Sequence, residues 1–389
     1  MKVTDVSNFV NELVEQMTGV KDVQVVDNST IVDIGKRLEN AFGTENTYKA
    51  ICDKVAKQVF LNKSYTNRFG NLMKDSWEWG NIIEDIRIKP MKATTDPSYN
   101  PVSGTDYKLT DYNAAEVETV YYSDFDNFQV DYWRDGDQLW NAFQSLEAFA
   151  QFEGSLEIEA INAIEKRTEA LCKTAITNMI AEVLDNEIPT ATYGASSTLK
   201  AVNVLKEFKA IHPDSTVTAA NCIYDPDFGK FLIERLMDAR DNIGDLSVDF
   251  NVQGVEEYTL EPTMIMLSKV ANAVKVNAQS NVYNKELVEL PNYSTVSYWQ
   301  GSNGYGFNGV SKIHQTIKNK AGETKTINAT GIIGVLFDPA AVCVNREYKK
   351  TTTFYHPNLD RTRIFSKYTA QYINRLSKNF IVFYVADAA

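Results

Sequence analysis

Residues 304–309, with the sequence GYGFNG, come nearest to known chemistry because they match the GxGxxG pattern of dinucleotide-binding loops. That pattern binds a pyrophosphate only where a helix begins directly after it, so that backbone N–H groups meet the anion. Residues 310–314 lead into the polar, turn-rich residues 318–325 and predict no such helix. We therefore interpret the segment as a glycine-rich mobile loop and not as a nucleotide site.

Other residues capable of catalysis or metal binding are scattered along the chain. They comprise three histidines and four cysteines: His212, His314, His356, Cys52, Cys172, Cys222 and Cys343. No CxxC pair occurs, so we interpret the cysteines as buried reduced thiols. The acids of residues 131–137 lack the spacing of a calcium loop, and P-loop, HExxH and GxSxG patterns do not occur. The sequence therefore predicts no enzyme, no metal site and no cofactor.

The net charge of −12 at pH 7 is unevenly distributed. Residues 111–160 contain twelve acidic residues and one arginine, a net charge of −11, whereas residues 341–389 contain eight basic and three acidic residues, a net charge of +5. Such asymmetry suits a molecule whose one end docks on the other end of a neighbour, although two solvated faces explain it equally. The acidic total argues against strong binding of nucleic acid.

The composition is that of an ordinary globular chain. Hydrophobic residues make up 44% and charged residues 23% of the 389 positions. No apolar run approaches the about 18 residues that span a bilayer. The N-terminus lacks the basic start and apolar block of a signal peptide, so we expect the protein to be made and used in a cytoplasm.

Two strands with an irregular segment between them are predicted in the first third of the chain. Residues 82–90 alternate as a strand that Pro90 closes, and residues 117–130 return to strand-like composition. Residues 91–115 between them are rich in turn residues and poor in apolar ones. The pattern indicates a long hairpin that leaves the body of the protein.

One long helix is predicted from Ser155, a good N-cap, to Leu184. No matching antiparallel helix follows it, which favours a strut across a flat domain over a bundle helix. Seven residues at helical spacing form its predicted inward stripe: Ile161, Ile164, Thr168, Leu171, Ala175, Met179 and Val183.

An α/β pattern follows this helix. Helices are predicted around 199–208 and over 227–239, where Asp225 and Asp227 act as cap and dipole partners and not as a metal pair. Strands are predicted over 216–224, 331–337, 362–373 and 380–385, with short strands and loops over 256–290.

Three places, in their order and spacing, resemble the major capsid proteins of small podoviruses, whose shells have the HK97-like fold. Residues 79–86 (WGNIIEDI) resemble that family's entry into its extended loop. Residues 137–143 (DQLWNAF), followed by Phe149, Phe152 and 163–165, resemble its approach to the spine helix. The closing segments are similar to its final strands: 345–346, 354–356, 368–377 and 380–383.

The resemblance implies an α+β chain with the HK97-like major capsid fold. Its parts are an N-terminal arm, an extended loop (E-loop), a peripheral domain with a long spine helix, and an axial domain. The implied boundaries are 1–60 for the arm, 61–85 and 131–195 for the peripheral domain with the spine helix at about 155–184, 86–130 for the E-loop, 196–345 mostly for the axial domain, and 346–389 for C-terminal strands that return to the peripheral/axial sheet.

The resemblance also implies the major capsid (head) protein of a tailed double-stranded DNA bacteriophage. Such a protein self-assembles as pentamers and hexamers into an icosahedral or prolate shell in the host bacterial cytoplasm. The implied partners are scaffold, portal and head-fibre proteins, and packaged double-stranded DNA in weak non-specific contact; no membrane is implied. The alternatives are an encapsulin-type bacterial nanocompartment shell and an enzyme of unknown class. We expect assembly contacts at Trp77, Trp79, Glu84, Asp85, Asp135, Asp137, Arg346, Arg361 and Arg363.

Overall fold

A computed structural model describes Glu15 and residues 63–74, 83–89, most of 91–105, 115–122, 125–135, 146–189, 192–279, 290–318, 322–359 and 361–387. The predicted N-terminal arm lies outside these residues, apart from Glu15. The chain divides into two compact units. One consists of Met1–Ser64, Tyr132–Asn162 and Thr353–Ile364, and the other of Tyr65–Asp131, Ala163–Thr352 and Phe365–Ala389. The segments implied by the resemblance divide the chain differently and stay predictions.

The described residues form strands and helices in an α+β arrangement. The strands are β1 (Ile83–Ile88), β2 (Val117–Tyr122), β3 (Asp126–Asp135), β4 (Ala201–Asn203), β5 (Thr263–Leu267), β6 (Ser294–Val296), β7 (Ile313–Lys318), β8 (Thr324–Ala329), β9 (Ile332–Phe337), β10 (Val342–His356), β11 (Arg361–Asn374) and β12 (Phe380–Tyr384). The helices are α1 (Leu146–Glu187), α2 (Val204–Ile211), α3 (Pro226–Gly244), α4 (Ser268–Gln279) and α5 (Phe307–Val310). Short 3-10 turns lie at Gly70–Leu72, Pro97–Tyr99 and Cys222–Tyr224.

A five-stranded mixed sheet forms the core of the second unit. Its order is β4-β12-β9-β5-β6, with β12 parallel to β4, β5 parallel to β6, and β9 antiparallel to both β12 and β5. Every residue of the central strands β9 and β12 is buried, because helices cover the sheet and leave no polar face. Strands β9 and β12 confirm the buried strands that were predicted over 331–337 and 380–385.

Three smaller sheets carry the remaining strands. β1 and β2 pair antiparallel with Ile86 opposite Thr119, which confirms the predicted hairpin. β7 and β8 form a second antiparallel hairpin. β10, β11 and β3 form a three-stranded sheet, in the order β10-β11-β3. Residues predicted as one strand over 117–130 therefore belong to two strands in different sheets.

The long helix α1 begins at Leu146, nine positions before the predicted start at Ser155. Its 42 residues span about 63 Å at 1.5 Å per residue. Gly154 and Ser155 resemble a helix start but lie inside the helix, because a single glycine costs only about 1 kcal/mol relative to alanine. The predicted stripe is buried from Ile164 to Val183, with Leu171 partly exposed, whereas Ile161 is 52% exposed and was wrongly included.

Replacing Gly154 by alanine is expected to stabilise the protein by about 0.5–1 kcal/mol, because alanine reduces the backbone entropy lost on folding. A Cβ added at Gly154 would meet no heavy atom within 4 Å. Urea unfolding of the wild type and the Gly154→Ala variant measures the change. A lower midpoint for the variant would show that this stretch of α1 does not tolerate a side chain.

One prediction in the α/β region is wrong, and another, of short strands and loops over 256–290, is right for strand β5 but misses helix α4. Residues 216–224 form turns and a 3-10 helix and not a strand, because the Asn221 side chain accepts hydrogen bonds from the Thr218 N–H at 2.7 Å and the Thr218 hydroxyl at 3.1 Å. Residues 256–290 include helix α4, whose valines and asparagines have weak helix propensity. Its Val270, Val274 and Ala278 are buried at helical spacing. Tertiary packing decides the structure of this segment.

The predicted cap of α3 is confirmed. The Asp225 carboxylate accepts hydrogen bonds from the backbone N–H groups of Asp227 and Phe228, at 3.0 and 2.8 Å. Pro226 occupies the first position of the helix, which runs on to Gly244, five residues beyond the predicted end.

Within the described residues, no helix combines the length and the apolarity needed to cross a bilayer.

Candidate assembly surfaces

The hairpin β1/β2 has one face that is entirely exposed. In the antiparallel register, Glu84, Ile86 and Ile88 lie opposite Tyr121, Thr119 and Val117. The four apolar members of this face are 57–64% exposed: Ile86, Ile88, Val117 and Tyr121. The opposite face of the hairpin, which includes Asp85 and Tyr122, is partly buried. Exposed apolar faces of this kind are typical of surfaces that bind another molecule.

The root of this hairpin is held by polar contacts. The Arg375 guanidinium donates to the Asp85 carboxylate, with an Nε–Oδ2 distance of 2.6 Å, and to the backbone oxygen of Ala340. The amide of Gln371 donates to the backbone oxygen of Tyr122 at 3.2 Å. Burial and then the nearby Asp85 carboxylate raise the pKa of Tyr122 to about 12. The hairpin is therefore attached firmly at its base while its outer face stays open.

A second polar joint connects α1 to strands β3 and β10. The guanidinium of Arg346 donates to the Glu165 carboxylate at 2.7 Å and to the Thr168 hydroxyl at 3.1 Å. Arg167 donates to the Asp126 carboxylate at 2.6 Å. These contacts fix α1 against the three-stranded sheet within the second unit.

The structure gives different positions to the nine residues expected at assembly contacts. Asp85 and Arg346 form the intrachain ion pairs described above, and Glu84 accepts a hydrogen bond from the exposed Tyr121 hydroxyl at 3.0 Å. Arg361 and Arg363 are half-buried in β11, and the Arg363 guanidinium lies 5.1 Å from the centre of the Trp133 ring. Asp135 is the last residue of β3, and the structure describes its backbone but not its side chain. Trp77, Trp79 and Asp137 lie outside the described residues.

Asp85 and Arg346 are paired within the chain, where they hold the hairpin and α1 in place. The expectation of assembly contacts at these two residues stays a prediction. The apolar face of the hairpin was not singled out from the sequence. The alternation of Ile86 and Ile88 with charged neighbours was the available signal.

The GxGxxG segment forms a turn that runs into a short helix, and its expected mobility stays a prediction. Helix α5 begins within the motif at Phe307, is only four residues long and is followed by β7. The Gly309 N–H donates to the Gly306 oxygen at 3.0 Å. A Cβ added at Gly309 would lie 2.9 Å from the backbone of Gly304, so this glycine is needed for close backbone approach. The motif is therefore explained by packing.

Cys52 lies outside the described residues, and the other cysteines and the histidines lie in ordinary structural surroundings. His212 packs on Phe208 with ring centres 4.7 Å apart, and His314 hydrogen-bonds to Asn328. Burial raises the pKa of the Cys172 thiol to about 11 and that of the Cys222 thiol to about 12, which keeps both protonated and unreactive. The described residues include no group of three or more metal-ligating side chains.

Comparison with solved structures identifies the class of fold. The capsid structure of Staphylococcus phage Andhra matches with a TM-score of 0.55 and 14% identity, over 86% of this chain and 88% of that chain. A chain in the structure of the head fiber and inner core protein gp22 of native bacteriophage P68 matches with a TM-score of 0.51 and 12% identity, over 85% and 88%. No curated protein sequence matches significantly. The fold is the HK97-like fold of phage capsid proteins.

The sequence itself then gives the family. A family model described as Phi29-like phage major capsid protein matches residues 6–384. The chain belongs to the Phi29-like phage major capsid protein family. It is a structural protein and not an enzyme, it forms an oligomeric shell as part of the virion capsid, and the encapsulin alternative is not favoured.

Proposed function

We propose that this protein builds the icosahedral or prolate head of a small podovirus, as pentamers and hexamers that assemble in the host bacterial cytoplasm. The head encloses double-stranded DNA, which contacts the acidic subunit weakly and without sequence preference. Scaffold, portal and head-fibre proteins are the expected partners. Residues 86–130 act as the E-loop and lie over a neighbouring subunit.

The observation that supports this proposal most strongly is the exposed apolar face of the β1/β2 hairpin. Ile86, Ile88, Val117 and Tyr121 keep most of their surface open in the single chain. Burial of apolar area releases about 25 cal/mol per Å², so covering this face favours association of subunits. The contacts at Asp85 and Gln371 hold the hairpin at its root, so the face is presented and not folded back.

Expression of the full chain, with its scaffold protein where one is encoded, followed by negative-stain electron microscopy, tests the proposal. We expect closed particles of uniform diameter. Purification of a chain that stays monomeric at every concentration and salt condition would contradict it.

The uneven charge predicts that electrostatic contacts between subunits contribute to assembly. Reversing Lys350 and Lys367, two exposed lysines of the basic C-terminal segment, to glutamate is expected to impair assembly. Assembly of the wild type is expected to weaken as salt rises, because exposed charges are screened over about 8 Å at physiological ionic strength. Sedimentation of particles against salt concentration measures both effects.

The matched control reverses Lys206 and Lys275, two exposed lysines on α2 and α4. This double variant changes the net charge by the same amount. Equal impairment by both variants would mean that the basic C-terminal segment is only a solvated face.

A further inference from the structure

A cavity of about 480 Å³ lies within the second unit, at the root of the hairpin. Its walls come from the end of β2, the last turns of α1, the hairpin β7/β8 and the end of β11. Among the residues that line it are Tyr121, Tyr122, Asn178, Glu182, Lys318, Tyr372 and Asn374. The lining therefore includes three tyrosines, two amides, one carboxylate and one lysine.

Three of these lining residues keep a buried oxygen without a hydrogen-bond partner among the described residues: Asn178 (Oδ1), Glu182 (Oε2) and Asn374 (Oδ1). The amide nitrogens of the two asparagines are used within the chain. Asn178 donates to the Tyr372 hydroxyl at 2.8 Å, and Asn374 donates to the backbone oxygen of Ala175 at 3.0 Å. All three unpartnered atoms are acceptors, so whatever satisfies them must supply hydrogen-bond donors.

Charge narrows the class of occupant. A carboxylate and two amide oxygens favour a cation, and tyrosine rings attract an ammonium or guanidinium group. Lys318, which also lines the cavity, forms no ion pair with Glu182 in the described structure, and its side chain is exposed. The described residues offer no three-ligand metal set. An alkylammonium or alkylguanidinium group matches this chemistry, and the cavity has room for it.

We propose that this cavity receives a lysine or arginine side chain from a neighbouring copy of the chain when the shell assembles. The inference rests on the proposed shell. A second copy is the expected source because the cavity adjoins the exposed face of the hairpin, where Tyr121 belongs to both surfaces. The receptor groups are the Glu182 carboxylate, the oxygens of Asn178 and Asn374, and the tyrosine rings.

The ionisation of Glu182 is expected to affect the stability of the free subunit and the assembly of the shell in opposite directions. Burial and then the neighbouring Asp185 carboxylate raise the pKa of Glu182 to about 7. A raised carboxyl pKa means that the native state holds its proton more tightly than the unfolded chain, so the stability of the free subunit falls as pH rises toward 7. Assembly shows the reverse dependence, because the cation binds the ionised form.

The charged and titratable groups near Glu182 come from α1, β2, β7, β8 and β11. Asp185 follows on α1 and pairs with Lys325 of β8 at 3.2 Å, and Lys318 comes from β7. Tyr121, Tyr122 and Tyr372 come from β2 and β11. Burial raises the pKa of Tyr122 to about 12, whereas that of Glu182 is raised only to about 7, so Glu182 is the group expected to respond near neutral pH.

The test uses Glu182→Gln, which keeps the shape and removes the charge. At pH 8 this variant is expected to melt at the same temperature as the wild type or higher as a free subunit, and to need about tenfold or more subunit concentration to form shells. The wild type is expected to assemble better at pH 8 than at pH 6, and the variant to lose this difference. The exposed Glu234→Gln on α3 is the control and is expected to change neither quantity.

Three results would overturn the proposal. Lower melting of the free Glu182→Gln subunit, or an equal loss of assembly in Lys318→Gln, would show that the carboxylate is used within its own chain. Arginine amide is expected to raise the melting temperature of the free wild-type subunit and not that of the free Glu182→Gln subunit. If closed shells bind this probe as tightly as the free subunit does, no neighbour fills the cavity. Failure of wild-type shells to form at all would instead contradict the proposed function.

Discussion

Replacing both Ile86 and Ile88 by lysine is expected to abolish shell formation while the free subunit keeps its stability. Both side chains are exposed in the single chain, at 62% and 59%, and surface substitutions usually change stability by within about 0.5 kcal/mol. In the proposed shell a neighbour covers the same positions, and an unpaired ammonium group buried there is strongly unfavourable. Thermal melting of the subunit and sedimentation of particles measure the two effects separately.

Ile211→Lys provides a matched control. Ile211 is also 62% exposed, but it lies at the end of α2, away from the hairpin in sequence. If Ile211→Lys forms normal shells and the hairpin variant forms none, the result supports an assembly contact at the exposed face of the hairpin. Normal shells from the hairpin variant would remove that support.

Replacing Met179 by alanine is expected to destabilise the free subunit by about 2–5 kcal/mol, because the substitution leaves a cavity in a packed core. Met179 is fully buried, as are Ile176 and Ile180 in the same turns of α1. A loss of this size is a large share of the stability of an ordinary domain. Melting temperature should therefore fall in the free subunit as well as in the shell.

Lys166→Ala on the exposed side of the same helix is the control and is expected to change melting little. An unchanged melting temperature for the free Met179→Ala subunit, together with blocked assembly, would make α1 an interface element. The interpretation of this helix as an internal strut would then be wrong.

Much of the fold could be predicted where a local pattern and its burial agree. The hairpin, the cap at Asp225 and the apolar strands at 332–337 and 380–384 follow from alternation, a capping carboxylate and continuous apolar runs. The stripe on α1 was correct where that helix meets the core, from Ile164 to Val183. Its extension to Ile161 failed because helical spacing says nothing about where the core ends.

Other features depend on contacts between residues far apart in the chain. The pairing of Arg346 with Glu165 and of Arg375 with Asp85 joins positions separated by 181 and 290 residues, which no spacing rule connects. Helix α4 forms because Val270 and Val274 become buried, against their weak propensity. The cavity at Glu182 is formed by five separate elements, so it could not be predicted from the sequence.

Electron cryomicroscopy of the assembled particles tests the central claim most directly. The account predicts a closed shell in which the face of Ile86, Ile88, Val117 and Tyr121 in each subunit lies on another copy of the chain. Closed shells in which this face points into solvent, or particles whose subunits touch only through other surfaces, would contradict it.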